Sequence, residues 1–485
     1  MKIFVLALIA ATAPVLASIY PGWPMPEYCT PVESMSKYEI PPVDAGNRDL
    51  ELIQTQVIAR HGARAPYSKI FCWETAPSPI DATWNCSTSS VWSEDIMDDY
   101  RGFGRLYKKQ YIAGQNIIAG TCGIGGLLPR GREQHHKLGE ILRMAYIGDG
   151  PMKLFRSSKL ETIPPHHIYL RSDDQERTLG SGQALVDALF PYDGSDDGDT
   201  RHMLTWNTAD AATDYIKHNN DNAACPALSH IMDQAKQSLA WLANANDPAV
   251  LQLERDFAAV VNGTFSWDNC LECLVLARCN DIPLPHGTTR TLFEALQAQV
   301  ERRKKIILTF QDAWYAKVDM HRMWVDVLAR IDAAIAHAAT SPKLFVTIGH
   351  DSTIMPMLAT LLGDSWDGAW TTYAGALVLE LYKDGNSGHI VRVLYNGQPL
   401  RLPFCNDVLC DWKAFDQALA FARRPRACAV PSPRLRMKST CLWKPHGLHY
   451  LVAALFFCGC VVLTFLMVRE LRHRSENPET RSLLR

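Results

Sequence analysis

The order of apolar and polar positions divides the chain into zones of different character. Unbroken apolar stretches lie near both ends, from Ile3 to Leu16 and from Tyr450 to Val468. The second carries no charge, and at the helical rise it spans roughly 28 Å, the thickness of a bilayer core. Between the ends, β-branched apolar runs alternate with runs at helical spacing. Gln54 to Ala59 reads as a strand that breaks at a loop containing Gly62 and Pro66. Arg132 to Tyr146 predicts a helix after the Pro129-Arg130-Gly131 break, His167 to Leu170 a strand, and about Arg177 to Leu189 another helix. From about 205 to 340 the strand signals nearly vanish, and stretches such as TLFEALQAQVERRKKIILTFQDAW show helical periodicity. This zone reads as a helical insertion that caps an α/β unit. Strand character returns at Lys343 to Ile348, followed by a helix from about Thr353 to Leu362 and strands at Ala376 to Tyr382 and Ile390 to Tyr395.

The apolar ends set the expected topology. Met1-Lys2 precedes the first stretch, and Val15 and Ala17 stand at the −3 and −1 positions of a cleavage point before Ser18, the pattern of a secretory signal peptide over 1–17. Arg469, Arg472 and Arg474 follow the second stretch as a cytoplasmic flank would. The preceding segment is basic as well, so the signal peptide decides the orientation. The expected order is an ectodomain over 18–422 and a Pro- and Arg-rich stalk over 423–447. A transmembrane helix over 448–468 and a cytosolic tail over 469–485 follow.

Composition adds less. The chain has 485 residues, 47% of them hydrophobic and 21% charged, which is ample for a sizeable core. A formal net charge of −2 gives no general reason to expect a nucleic-acid partner. Fourteen cysteines suit an oxidising compartment. Cys405 and Cys410 are close enough for a local disulfide. Cys270, Cys273 and Cys279 form a denser group, where disulfide bonding is a better reading than zinc because no second pair at finger spacing follows. Asn85 and Asn262 open N-glycosylation patterns. The acidic stretch Asp193 to Asp199 reads as a solvated turn rather than a metal site.

Candidate chemistry collects where predicted strands end. Arg60, His61 and Arg64 leave the first strand, Arg171 the second, and His350 and Asp351 the third. Sites in open α/β sheets form at the carboxyl ends of strands, so these residues can meet. Guanidinium forks match phosphate oxygens two at a time. An imidazole among them can attack phosphorus, and a carboxylic acid can protonate the departing alcohol. With arginines neutralising the charge, this chemistry requires no metal. Taken singly, Arg171 could be an ordinary ion-pair partner, and His350 and Asp351 could simply cap the following helix.

The motifs R-H-G-A-R-A-P at 60–66, G-L-L-P-R-G-R-E-Q-H-H-K-L-G at 126–139, Y-L-R-S-D-D-Q-E-R-T at 169–178 and G-H-D at 349–351 resemble those of the histidine acid phosphatases, in the same order. The resemblance implies an α/β three-layer sandwich with a mostly parallel central sheet and a helical cap. It implies His61 as phosphohistidine nucleophile, Asp351 as general acid, and Arg60, Arg64, Arg171 and His350 as phosphate ligands. Phosphomonoester substrates follow from it, with no cofactor, and its members are often homodimers. Ala63 departs from the Asp that prostatic and lysosomal members carry there, a position expected to border the leaving group. Phytases and inositol polyphosphate phosphatases share the opening motif, so a phytase specificity is one alternative. A catalytically dispensable ectodomain serving as a receptor or adhesion module is another. Type I topology resembles the lysosomal and endosomal members. Glu479, Leu483 and Leu484 in the tail resemble an acidic dileucine signal read by sorting adaptors, so an endosomal or lysosomal membrane is expected, with the cell surface as a second location. An acid pH optimum is expected because an aspartic acid donates only while protonated.

Overall fold

The computed structural model describes residues 19–428 apart from positions 21, 47, 68–78, 80–81, 87–90, 93–106, 109–115, 151, 192–203, 211–212, 217–224, 262–264 and 386–387. The expected signal peptide, the stalk beyond Cys428, the span and the tail with Glu479, Leu483 and Leu484 lie outside the described residues. So do Asn262 and the acidic stretch 193–199. Among the described residues no helix is long and apolar enough to cross a membrane.

A central sheet organises the chain. Its strands are β1 (Leu50–Arg60), β2 (Ile168–Ser172), β3 (Trp206–Asn207), β4 (Leu344–Gly349), β5 (Ala376–Asp384), β6 (Gly388–Tyr395), β7 (Gln398–Pro399) and β8 (Leu409–Asp411). They lie in the order β7-β6-β5-β1-β4-β2-β3, with β8 also paired to β6. The pairs β1–β4, β4–β2 and β2–β3 are parallel, whereas β1–β5, β5–β6, β6–β7 and β6–β8 are antiparallel. The sheet is thus mixed, a correction to the mostly parallel sheet expected. The link between Asp384 and Gly388 is far too short for a crossover, so β5 and β6 can only form a hairpin. Periodicity marks strands without naming their partners, which is why the sequence did not show this.

Alternation along each strand builds two cores. Val57, Ala59, Val378, Ile390 and Leu394 face one side with Leu138, Ile141 and Leu142 of α1 (Pro129–Tyr146) and Leu185 and Leu189 of α2 (Glu176–Leu189). Ile58, Leu377, Leu379, Val391 and Val393 face the other, against α8 (His321–Ala336), α9 (Asp351–Leu362) and the later part of α7 (Arg290–Asp319). Each fully buried aliphatic side chain contributes about 2 kcal/mol. The cap comprises α3 (Ala227–Lys236), α4 (Leu239–Ala245), α5 (Pro248–Val261), α6 (Trp267–Cys279) and the start of α7, which breaks at Phe310–Ala313 with Gln311, Asp312 and Ala313 at positive φ.

The insertion expected over about 205–340 therefore shrinks at both ends. Trp206 and Asn207 extend the sheet beside β2. Helix α8 lies on the sheet, where Gln56 Nε2 donates to the Val327 carbonyl at 3.1 Å and Gln54 Nε2 to that of Arg330 at 3.0 Å. The expected start of α1 moves as well. Pro129 occupies its first turn, a position where the missing N–H costs nothing.

Disulfides link Cys29–Cys279, Cys86–Cys122, Cys225–Cys428 and Cys405–Cys410, and Cys273 is also disulfide-bonded. Cys270 is a buried free thiol. Asn85 is exposed, as a glycan acceptor must be.

Candidate active site

Strand register brings the site together. Arg60, the last residue of β1, pairs with Gly349, the last of β4, and Ser172 at the end of β2 pairs with Ile348. Three adjacent parallel strands therefore end at nearly one level. The first residues beyond them are His61, His350 and Asp173. The His61 amide donates to the Gly349 carbonyl at 3.0 Å, and the two imidazole rings lie edge to face with centroids 5.4 Å apart. His350 Nε2 lies 2.9 Å from Asp173 Oδ2.

The loop after β1 is held from behind by α1. A Cβ on Gly62 would lie 2.2 Å from the Gly131 carbonyl oxygen, and one on Gly131 would lie 2.2 Å from that of Ala63. Only glycine at both positions permits this backbone approach. Gln134 on α1 accepts from the Ala63 amide at 2.8 Å and donates to the carbonyls of Cys29 and Thr30 at 2.8 and 2.7 Å. His135 Nε2–H donates to the Arg60 carbonyl at 2.8 Å, while burial pushes the imidazole pKa down to about 4.

His61 Nδ1–H donates to the Gly62 carbonyl at 2.8 Å, which fixes the tautomer and leaves Nε2 with a lone pair. Burial, then the charges of Arg177, Arg60, His350 and Arg64, hold this imidazole well below its ordinary 6.5. That favours the neutral ring. His350 is lowered by burial and partly restored by Asp173.

The cavity in front of these residues measures about 560 Å³, within the range of small-molecule sites. His61, Arg64, His350 and Asp351 line it. Arg60 does not. Its guanidinium is fully buried and packs over the rings of Tyr28 and Tyr373 at 4.8 and 4.5 Å. It donates to the Tyr28 hydroxyl at 2.6 Å and to the Thr371 carbonyl, and its Nη2 lies 3.1 Å from Asp351 Oδ2. Arg64 pairs with Glu272 of α6 at 2.8 Å.

Arg171 is placed elsewhere, a correction to its expected role as a phosphate ligand. It pairs with buried Asp214 at 2.8 Å, bonds the Ser172 and Asn207 carbonyls, and is absent from the cavity wall. Its place is taken by Arg177, buried in the first turn of α2 and lining the cavity. Burial, then Arg64, lower the Arg177 pKa to about 10, so it remains cationic. No carboxylate among the described residues pairs with it within salt-bridge distance. Sequence reasoning missed Arg177 and Asp173, although both lie inside the Y-L-R-S-D-D-Q-E-R-T motif. The available signal was that first-turn side chains lean back toward the helix N-terminus.

Two further expectations change. Ala63 is buried in an apolar cluster with Tyr28, Cys29 and Leu128 and does not line the cavity, so it does not border a leaving group here. Asp351 Oδ2 accepts from Trp370 Nε1–H at 2.7 Å, and its Oδ1 from the Ser352 amide at 2.7 Å. Burial works against its charge, but Arg60, the Trp370 bond, His350 and Arg64 outweigh burial and hold the pKa at about 2. At that value it is a carboxylate. Two helices, α2 and α9, also begin at the cavity wall and form a nest with the arginines, and such termini favour anions.

Residues 51–396 match the Histidine phosphatase superfamily (branch 2). The chain belongs to that superfamily. Relatives include Counting factor 60 of Dictyostelium discoideum, 27% identical over 77% of this chain and 87% of that protein. Lysosomal acid phosphatase of Xenopus laevis is 26% identical over 58% of this chain and 66% of its own. Lysophosphatidic acid phosphatase type 6 of Mus musculus is 23% identical over 76% and 84%. Among solved structures, the Hafnia alvei phytase in complex with myo-inositol hexakis sulphate aligns over 79% of this chain and 99% of its own, at 16% identity and a TM-score of 0.50. That likeness concerns the fold alone.

Proposed function

We propose that this superfamily member is an acid phosphatase that hydrolyses phosphate monoesters through a phosphohistidine intermediate. The observation that carries the reading is the His61 tautomer, fixed by the Gly62 carbonyl, in a cavity shared with Arg64, Arg177, His350 and Asp351. His61 Nε2 attacks phosphorus as the ester P–O bond breaks. Arg64, Arg177 and His350 stabilise charge on the equatorial oxygens, with Arg60 behind them. Asp351 passes a proton to the leaving oxygen. Its carboxylate then takes a proton from the water that opens the phosphohistidine and frees phosphate.

The low pKa of Asp351 sharpens the origin of acid dependence. The carboxyl must acquire its proton as the substrate binds. Below about pH 6 a phosphate monoester is largely a monoanion that brings a proton with it. A phosphoryl charge beside Asp351 also offsets the arginines and raises its pKa. The acid preference then belongs to the enzyme–substrate complex. We further assign the protein a type I topology with a luminal catalytic domain in endosomal or lysosomal membranes. This rests on the apolar termini, the tail signal and the lysosomal acid phosphatase relatives.

The test is hydrolysis of 4-nitrophenyl phosphate at pH 5 by wild type and His61→Ala, with acid-labile phosphoenzyme trapped in parallel. The expected loss is at least about 10⁴-fold, together with the trapped species. Equal rates would leave the ectodomain as a receptor or adhesion module.

A further inference from the structure

The phosphate nest accounts for only one end of the cavity. The other end is built by the cap and by the loop carrying Trp370. Two helices supply its charged groups: Asp268 and Glu272 on α6, and Lys304 on α7. Glu272 holds Arg64 at 2.8 Å, and Asp268 holds Lys304 at 2.8 Å nearer the solvent. Among the described residues, the lining contains three basic side chains (Arg64, Arg177 and Lys304) and three acidic ones (Asp268, Glu272 and Asp351). The remaining wall mixes polar groups, Gln175, Asn269, Ser352 and two tyrosines, with an apolar stretch formed by Met232, Ile307, Leu308, Met355, Pro356 and Trp370. Trp370 matters twice, since its indole N–H holds the Asp351 carboxylate while its ring joins the apolar wall.

We infer that the site accepts esters carrying a single phosphoryl group on an uncharged, apolar leaving group, and that the α6 carboxylates exclude leaving groups bearing further phosphates. This specificity rests on the proposed phosphohistidine reaction at the same site. The argument is one of charge. One phosphoryl group displaces Glu272 from Arg64 and takes Arg177 as well. A second phosphate on the leaving group then finds Lys304, already held by Asp268, and the freed Glu272 carboxylate. Like charges at such separations cost several-fold to a hundredfold in binding even when partly screened. An alkyl or acyl leaving group instead buries its methylenes against Ile307, Leu308, Met355 and the Trp370 ring. Each buried methylene favours binding by a few-fold. Release of the leaving alcohol places its oxygen beside the Asp351–Trp370 hydrogen bond, with the chain lying along the apolar wall.

The experiment uses the full chain in detergent at pH 5. It compares kcat/KM for 4-nitrophenyl phosphate, octyl phosphate below its micelle concentration, glycerol phosphate and inositol hexakisphosphate. Octyl phosphate should exceed glycerol phosphate by at least about tenfold and inositol hexakisphosphate by at least about a hundredfold. Glu272→Gln should move the octyl-to-hexakisphosphate ratio toward the polyanion by about tenfold. Ile307→Lys should move it in the same direction through loss of octyl phosphate turnover. Hexakisphosphate hydrolysed as well as octyl phosphate, or equal rates for octyl and glycerol phosphate, would overturn the inference. So would ratios unmoved in both variants. Failure to hydrolyse 4-nitrophenyl phosphate would instead bring down the underlying reaction, and the specificity with it.

Discussion

The two ends of the cavity are built on different physical terms. At the sheet end three of the functional side chains are fixed by backbone or by a buried partner. His61 is fixed by Gly62, Arg60 by Tyr28 and Thr371, and His350 by Asp173. At the cap end the charged groups are partly solvated. Lys304 and Asp268 keep 34% and 54% of their side-chain surface, and that ion pair is a surface pair. Preorganised donors in a buried setting lose little to reorganisation when charge develops, which is what a transition state requires. Solvated pairs exchange partners cheaply and can adapt to different leaving groups. Under the proposed function, the reaction belongs to the sheet end and the choice of substrate to the cap.

Substitutions that contrast the ends should separate in size. Arg177→Ala should lower kcat/KM for 4-nitrophenyl phosphate by roughly 10²–10³-fold with little change in thermal stability. Arg171→Ala should do the reverse. It strands buried Asp214 and should cost about 3–5 kcal/mol of stability, read in a urea melt, while folded protein keeps most of its kcat. If Arg171→Ala abolished turnover in folded protein and Arg177→Ala did not, the assignment of the nest would be inverted.

A smaller effect comes from His135. Its folded pKa of about 4 lies below the unfolded value of 6.5, so the unfolded chain binds more protons as pH falls. The stability tied to its neutral form is complete above 6.5 and is lost toward 4, amounting to about 2 kcal/mol at pH 5. His135→Gln, which keeps a donor for the Arg60 carbonyl, should flatten stability between pH 7 and 5 in chemical melts. An unchanged slope would remove His135 as its source. Smallest of all, Lys304→Met should change kcat/KM for 4-nitrophenyl phosphate by no more than a few-fold, as expected of an exposed pair worth under about 1 kcal/mol. A loss comparable with Arg177→Ala would erase the contrast between the two ends.

Much of the fold was legible because burial leaves a period. Strands β1, β4, β5 and β6 announce themselves as apolar runs, and α1, α2, α8 and α9 as stripes. Pairing was not legible, since the same alternation serves parallel and antiparallel neighbours. The site was legible where chemistry sits directly after a strand, as at His61 and His350. Arg171 misled for a related reason: it lies one residue from the end of a strand, but its guanidinium turns to Asp214. Arg177, six residues later, reaches the cavity because it opens a helix. Ala63 shows the opposite error, since a position inside a catalytic motif can face the core.

The Cys29–Cys279 bond carries a last consequence. Cys29 follows Tyr28, which cradles Arg60, and Cys279 closes α6, which bears Glu272 against Arg64. One covalent link therefore ties the supports of both arginines flanking His61, across 250 residues of sequence. Chain still in a reducing environment has the same residues without that common anchor. Formation of the Cys29–Cys279 bond is thereby coupled to the placing of both guanidinium groups, so reducing it would loosen the Tyr28 and Glu272 supports together.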